Sequence, residues 1–386
     1  KEPCEGTEQG ISISYPRLVD LLYADKTAIG RQLLLDDGKI VMSVQSVTTE
    51  KITCIVIQGG TLSNRKSINI PDYHINMPFV SAQDRKDLEF GLSLGVTYVA
   101  ASFVRSADDV ITMRDFIDSL GYENVEIISK IENQSGVDDI DNIIKVSDGI
   151  MVARGDMGVE IPFIKIPELQ KTIIRKVVYA GKYVITATQM LESMTHSPRP
   201  TRAEINDVAN AVYDGTSAIM LSGETAAGAY PVEAVKTMAL IAENTENHID
   251  YKGRFAERRS NPEGNIAEAI AHATVTTAHD LDARAIITVS LGGQTARLIS
   301  KYRPCCPIIS CTMSEVVCRQ MNMSWGVIPY IIDEKNSTDD LFAAAVEAAE
   351  EHRLVEDGDL VAITAGVPLG VSGTTNLMKV ERIGNN

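Results

Sequence analysis

Two acidic residues of this chain each close a short, strongly apolar run. Glu132 ends residues 125–132 (VEIISKIE), and Asp156 ends residues 149–156 (GIMVARGD). Continuous β-branched runs of this length are typical of strands buried on both faces of a parallel sheet. The two carboxylates are separated by about the length of one strand–helix–strand unit. Both are therefore predicted at the carboxyl ends of neighbouring parallel strands, where α/β enzymes build their sites.

This pair of carboxylates suggests metal-assisted chemistry on an anionic substrate. Carboxylate oxygens suit Mg²⁺ or Mn²⁺, and Lys130 would add a fixed positive charge where negative charge develops during phosphoryl transfer. A lone Lys-x-Glu is common on protein surfaces, but the repeated placement on consecutive strands favours a metal site. Gly155 and Gly158 flank Asp156, and they indicate either backbone N–H groups that bind a ligand or an ordinary turn with positive φ.

The next two predicted strands end in hydroxyl-bearing residues. Thr186 and Thr188 close residues 183–188, and Ser222 follows the run that begins at Ala218. A single hydroxyl at such a position is more often structural. Because the two sets share the same place at strand ends, they are candidates for binding a substrate carboxylate or orienting water.

Composition limits the classes of partner. The chain has 386 residues, a net charge of −16 and a pI near 4.9, and it has no run of Lys and Arg, which disfavours nucleic acid and anionic membranes. We find no apolar stretch of transmembrane length, and the start (Lys1–Cys4) does not resemble a signal peptide. The six cysteines lack zinc-like spacing and are predicted to be reduced thiols in the cytoplasm.

The positions of turn-forming residues and the changes in apolar pattern along the chain predict three regions. Residues 1–76 read as β-hairpins, residues 77–250 alternate five buried strands with helices in the pattern of a (β/α)8 barrel of the TIM type, and residues 251–386 form a further α/β module. Five strands cannot close such a barrel. We therefore expect either an open sheet or a chain that lacks upstream barrel strands.

Two loops rich in Gly, Ser and Thr lie in the last region, one at 288–297 after a predicted strand and one at 366–376. Small residues with exposed N–H groups favour phosphate, so the loops are predicted either to hold one phosphorylated ligand or to be plain flexible loops. The residues assigned to this predicted effector site are Thr288, Ser290, Gly292, Gly293, Thr295, Ser372, Gly373, Thr374 and Thr375.

Five motifs together resemble the pyruvate kinase family in the same order along the chain. They are residues 127–137 (IISKIENQSGV), 149–162, 186–194, 198–214 and 219–226. The resemblance extends through essentially the whole chain and is strongest from about residue 95 to 245. It implies transfer of the phosphoryl group of phosphoenolpyruvate to ADP, giving pyruvate and ATP, the final step of glycolysis.

The resemblance also implies roles for individual residues. Glu132 and Asp156 would be ligands of an essential Mg²⁺ or Mn²⁺, and Lys130 would stabilise the transferring phosphoryl group and the enolate. The backbone at Gly155 and Asp156, together with Thr188, would hold the substrate carboxylate.

Further residues follow from the same resemblance. Ser222 would belong to the hydroxyl and water network that protonates the enolate, and Ser102 and Phe103 would line the substrate site. Asp37 and Lys66 would lie in a small β-barrel lid domain (residues 1–76), inserted in the barrel domain (77–250), that closes over nucleotide. Residues 251–386 would form an effector and oligomerisation domain of a homotetramer, with a sugar phosphate or nucleotide as effector.

The chain differs from the family at its start. Family members carry a preceding segment that supplies three barrel strands and the ligands of a monovalent cation such as K⁺. The motifs of that segment are not found here. We therefore expect a fragment, a shortened chain or a disordered region outside this sequence. Two other classes were weighed: a Mg²⁺-dependent lyase or aldolase, which leaves the β-hairpins and phosphate-type loops unexplained, and a non-catalytic scaffold, which leaves Lys130, Glu132 and Asp156 unexplained.

Overall fold

A computed structural model describes residues 4–15, 17–71, 73, 77–257, 265–369, 371 and 373–384. The contacts divide the chain into two compact units. The first comprises Lys1–Met77, Glu132–Gln134 and Arg154–Pro167, and the second comprises the remainder. The predicted boundaries after residues 76 and 250 stay a prediction.

The N-terminal part of the first unit is an antiparallel sheet with one helix. Its elements are α1 (Arg17–Ala24), β1 (Gln32–Leu35), β2 (Ile40–Val47), β3 (Ile52–Gln58) and β4 (Ile68–Asn69), with strand order β3-β2-β1-β4. Leu18 and Leu22 of α1 pack with Leu33 and Val44 in the core of this sheet. The hairpins expected for this region are thus present.

The middle of the chain alternates helices and strands as predicted. Its elements are α2 (Ala82–Ser93), β5 (Tyr98–Ala101), α3 (Ala107–Ser119), β6 (Glu126–Ile131), α4 (Gln134–Asp138), α5 (Ile140–Val146), β7 (Gly149–Ala153), α6 (Arg154–Glu160), α7 (Ile166–Tyr179), β8 (Tyr183–Ala187), α8 (Arg202–Tyr213), β9 (Ala218–Met220), α9 (Gly223–Ala226), α10 (Pro231–Glu246) and α11 (Tyr251–Glu257). Short 3-10 helices lie at Phe163–Lys165 and Glu192–Thr195.

The five strands β5 to β9 form one parallel sheet in sequential order. Within the described residues this sheet does not close into a barrel. The run of buried residues along β6, β7 and β8 explains why these segments read as continuous apolar stretches, because both faces of a parallel sheet are covered. Their carboxyl ends consequently lie at one edge of the sheet.

Local capping signals fix the ends of two helices in this region. Thr201 and Glu204 form a capping box at the start of α8, with hydrogen bonds in both directions. Ser81 is the N-cap of α2 and makes the same reciprocal arrangement with Asp84. Each box satisfies N–H groups that a helix leaves without intrahelical partners.

The C-terminal module is a second five-stranded sheet. Its elements are α12 (Ile266–Asp280), β10 (Ala285–Val289), α13 (Gln294–Lys301), β11 (Ile308–Thr312), α14 (Glu315–Met321), β12 (Val327–Ile331), α15 (Thr338–Glu351), β13 (Leu360–Gly366) and β14 (Thr375–Arg382). The order is β12-β11-β10-β13-β14, and β14 alone runs antiparallel. Two buried hydrophobic clusters contain residues of this sheet and its helices. No helix among the described residues combines the length and apolar character needed to cross a membrane.

We predict that Ser81→Ala lowers the free energy of unfolding by about 1 kcal/mol, because α2 loses its N-cap acceptor. Ser106→Ala is the matched control, since Ser106 is the N-cap of α3 but makes no capping bond through its side chain. Urea unfolding followed by circular dichroism measures both. Equal destabilisation by the two substitutions would show that the Ser81 box contributes nothing.

Candidate functional site

Lys130 lies near the carboxyl end of β6 and contacts a residue from the neighbouring strand. Its Nζ donates to Ser102 Oγ at 2.8 Å, and Ser102 follows directly after β5. Parallel pairing of β5 with β6 places the two residues side by side. The structure therefore brings together two of the residues expected to bind substrate, and leaves Phe103 beside them about half exposed, at 49%.

The backbone at two strand ends adopts an unusual conformation. Phe103, after β5, has φ of 55°, and Thr188 and Gln189, after β8, have φ of 70° and 55°. For a β-branched residue such as Thr188 this left-handed region is an outlier. Residues held this way require support from their surroundings and concentrate at functional sites. The outliers support a functional interpretation of this edge of the sheet.

Glu224 is a buried carboxylate that the sequence interpretation left unassigned. It is 0% exposed, and its two oxygens accept from the backbone N–H groups of Leu191, at 3.0 Å, and Ser222, at 2.8 Å. It thereby ties the segment after β8 to the segment after β9. The sequence did contain a signal for Glu224, because this acidic residue lies two positions after Ser222, close to the end of a predicted strand.

Thr186 does not share the role considered for Thr188. It is fully buried, and its hydroxyl donates to the Thr216 hydroxyl at 3.0 Å. The Thr188 hydroxyl instead donates to the carbonyl of Ala187 at 2.6 Å, on a partly exposed residue. Only the second of the two threonines is placed where a ligand could reach it.

The two candidate metal ligands belong to the first unit. Glu132 follows β6 and is 0% exposed, whereas Asp156 lies in α6, which begins directly after β7. A fully buried carboxylate is costly unless it is paired or bound to a metal. Across the described residues no group of three or more His, Cys, Asp and Glu side chains is arranged to hold a metal. Two carboxylates alone fit Mg²⁺, which commonly keeps several waters and substrate oxygens.

The glycines around Asp156 are helical. Gly155 and Gly158 lie within α6, and neither has positive φ. The alternative of an ordinary turn with left-handed glycines therefore does not describe this segment. Gly155 and Asp156 instead occupy the first turn of α6, where backbone N–H groups have no intrahelical acceptor.

The expected lid residues lie near the turn between β1 and β2. The Ser67 hydroxyl donates to Asp37 at 2.6 Å, and Lys66 forms an ion pair with Asp36 at 2.9 Å. The hydrogen bond from Lys66 holds the pKa of Asp36 below its usual value. Positive φ at Asp36, Asp37 and Gly38 makes this turn tight. Lys66 thus pairs with Asp36 rather than Asp37.

A cavity of about 210 Å³ in the C-terminal module is lined by both predicted effector loops. Ser290 and Thr295 contribute from one loop, and Gly373, Thr374 and Thr375 from the other. The hydroxyls of Thr295 and Thr375 lie 2.6 Å apart and join the loops directly. Glu334 and Lys335 are the charged members of the described lining.

The remaining members of the predicted effector set lie elsewhere. Thr288 is fully buried inside β10 and donates its hydroxyl to Ser310. This hydrogen bond within the sheet accounts for a threonine at this position, and no ligand is needed to explain it. Gly292 and Gly293 are not among the residues that line the cavity. Gly293 has φ of 72°, and a Cβ there would come within 2.9 Å of Met321, so its conformation and packing require glycine. Ser372 lies outside the described residues.

Comparison with known families agrees with this geometry. A model of the pyruvate kinase barrel domain matches residues 2–235, and a model of the pyruvate kinase alpha/beta domain matches residues 268–381. The architecture is that of an α/β phosphotransferase with an additional α/β domain. The chain belongs to the pyruvate kinase family.

Individual relatives support the same assignment. The chain is 50% identical to a pyruvate kinase of Clostridium acetobutylicum over 98% of its own length and 79% of that protein. It is 48% identical to a pyruvate kinase of Sporosarcina psychrophila and 47% identical to one of Geobacillus stearothermophilus. It spans 64% of the length of each of these two proteins.

We predict that Glu224→Gln lowers the free energy of unfolding by about 1–3 kcal/mol, because the amide nitrogen cannot accept from a backbone N–H and leaves one buried donor unsatisfied. Glu192→Gln, at an exposed glutamate nearby, should have almost no effect. Urea unfolding compares the two. Equal stability of both variants would show that Glu224 does not hold the segments after β8 and β9 together.

Proposed function

We propose that this protein is a pyruvate kinase that transfers the phosphoryl group of phosphoenolpyruvate to ADP. The observation that carries the proposal is the Lys130–Ser102 hydrogen bond at the carboxyl edge of the sheet, in a chain of this family. In the reaction the bond between phosphorus and the enol oxygen breaks, and a terminal oxygen of ADP forms the new bond. The enolate of pyruvate then takes up a proton at carbon.

Lys130 is proposed to stabilise charge during this transfer. Its ammonium is half-buried and is oriented by Ser102. A cation held in place stabilises the transferring phosphoryl group and the enolate oxygen without reorganisation. Phe103 is proposed to line the same substrate site.

Glu132 and Asp156 are proposed to hold the divalent cation, Mg²⁺ or Mn²⁺. Such an ion neutralises phosphate charge and polarises substrate oxygen when bound. The buried position of Glu132 and the purely oxygen donor set support this assignment. K⁺ is the monovalent cofactor that family membership suggests.

The substrate carboxylate and the enolate proton are assigned to the other strand ends. Backbone N–H groups at Gly155 and Asp156, together with Thr188, are proposed to bind the carboxylate. Ser222 is proposed to belong to the hydroxyl network that delivers the proton. Asp37 and Lys66 are proposed to face the nucleotide.

The C-terminal cavity is proposed to bind a sugar phosphate or a nucleotide that activates a homotetramer. Its two loops supply hydroxyls, and Lys335, from the segment between β12 and α15, adds a positive charge to the lining; both suit a phosphate group. We further propose a cytoplasmic location, because all six cysteines are outside disulfides, as is typical of reducing compartments.

Glu132→Gln and Asp156→Asn should each abolish divalent-metal-dependent ATP formation, because each removes one charged oxygen ligand. Lys130→Met should slow turnover by roughly 10²-fold while substrate affinity changes little. A coupled assay for ATP formation measures all three. Glu123→Gln, at an exposed glutamate before β6, is the control and should retain full activity. Near-normal turnover of either carboxylate variant at ordinary Mg²⁺ would refute the metal assignment.

Thr374→Asp should weaken activation by sugar phosphates or AMP, because an added carboxylate in the cavity repels phosphate. Half-saturation for phosphoenolpyruvate is measured with increasing effector. Asn336→Asp adds the same charge at an exposed residue that does not line the cavity, and it should respond like the wild type. Undiminished activation of Thr374→Asp would place the effector elsewhere.

A further inference from the structure

The C-terminal module contacts the amino-terminal edge of the β5–β9 sheet, opposite the edge that carries Lys130. Tyr98, the first residue of β5, donates its hydroxyl to the carbonyl of Gln320 at 2.6 Å. The Gln320 side chain donates to the carbonyl of Asn124, just before β6, at 2.7 Å. Arg303 donates to the carbonyl of Gly215, before β9, at 2.9 Å. These contacts lie within one compact unit.

One ion pair at this edge reaches β6 itself. Arg297 of α13 pairs through Nη2 with the carboxylate of Glu126, the first residue of β6. The other carboxylate oxygen accepts from the Tyr183 hydroxyl at 2.9 Å. The side chains of Arg297 and Glu126 are only 25% and 9% exposed. Burial raises the pKa of Glu126, and the positive charge of Arg297 opposes that shift.

The strand between Glu126 and Lys130 is a stiff connection. β6 pairs with β5 on one side and β7 on the other, and its residues are buried up to Lys130. The carboxylate of Asp148 also accepts from the Ile127 N–H at 2.7 Å. At about 3.3 Å per residue, Lys130 lies roughly 13 Å along the strand from Glu126. A shift of β6 along its axis would therefore move Lys130 with it.

The same helix begins at the wall of the C-terminal cavity. Thr295 lines that cavity, and Arg297 follows two residues later in α13. A helix turn fixes the relative positions of these two residues. A displacement of the cavity wall at Thr295 would therefore move Arg297 as well, because both residues lie in the first turns of α13.

We propose that Arg297 is a positioning residue for Lys130, which acts through Glu126 by fixing the axial position of β6 against α13. The pair would connect the cavity wall to the phosphoryl-binding ammonium through one helix turn and one strand. The inference rests on the proposed function for the role of Lys130, but the placement of β6 can be measured independently. The competing explanation is an ion pair that only stabilises the contact between module and sheet.

The test compares Arg297→Met, Arg297→Lys and the double variant Arg297→Met with Glu126→Met in the intact protein. The double variant removes both charges together and leaves no buried charge unpaired, so its unfolding midpoint should fall less than that of Arg297→Met, and the remaining loss comes from the Tyr183 hydroxyl, which loses its acceptor. Its kcat should fall at least about tenfold with KM for ADP within about twofold, as expected for a displaced catalytic group. Hydrogen exchange of residues 126–131 should become faster, and Arg297→Lys should recover most of both properties.

Lys301→Met is the matched control. Lys301 lies on the same helix and forms a similarly buried ion pair, with side chains 17% and 11% exposed, but its partner is Glu268 of α12 in the same module. This variant should keep kcat within about twofold and leave exchange of residues 126–131 unchanged. An equal effect of Lys301→Met would reject the proposal, because any loss of an α13 ion pair would then suffice.

Two further results separate the possibilities. If the double variant keeps the wild-type kcat and the wild-type exchange in β6, whatever its unfolding midpoint, the pair does not position Lys130 and the proposal is wrong. If the wild type forms no ATP from phosphoenolpyruvate and ADP, the proposed function fails, and exchange of residues 126–131 alone decides whether Arg297 positions β6. If Arg297→Met does not fold, kcat and hydrogen exchange of residues 126–131 are still compared among the wild type, the double variant and Arg297→Lys.

Discussion

Parallel pairing of β6 with both β5 and β7 is the constraint on which the candidate site depends. The register aligns Ala101 with Ser129 and Lys130 with Met151, so Ser102 and Lys130 lie at the same edge of the sheet. Ser102 then lies within hydrogen-bonding distance of Lys130. Without this pairing, the polar residues at successive strand ends would be scattered along the chain and could not act on one substrate.

The opposite edge of the sheet carries a different kind of contact. There Arg297 of the C-terminal module pairs with the carboxylate of Glu126, the first residue of β6. Gln320 donates to the carbonyl of Asn124 just before β6, and Arg303 donates to the carbonyl of Gly215 before β9. A buried ion pair adds little net stability, so the contribution we propose for Arg297 and Glu126 is positional. Chemistry and positioning are thus assigned to opposite edges of one sheet.

The sequence predicted what local patterns determine. Apolar runs located the strands β5 to β9. Lys130 was identifiable because it lies two residues before Glu132 in the same apolar run, where a positive charge suits an anionic substrate. The resemblance to a known family then supplied roles that composition cannot give.

What the sequence could not predict depends on distant contacts. Arg297 and Glu126 are 171 residues apart, and no periodicity links them. β14 was not predicted, because an edge strand that pairs on one side lacks the continuous apolar run of a central strand. Thr288 was assigned to a ligand on composition, whereas its hydroxyl is used inside the sheet by Ser310. In each case the tertiary partner decides the role of the residue.

The central claim is that the strand-end residues around Lys130 support direct phosphoryl transfer to ADP. Phosphorus NMR of the purified protein with phosphoenolpyruvate, ADP and Mg²⁺ tests it most directly. The account predicts that the phosphoenolpyruvate signal is replaced by the γ-phosphate signal of ATP, without inorganic phosphate, and only while a divalent cation is present. Release of inorganic phosphate with no ATP, or ATP formation that persists after the cation is chelated, would contradict it.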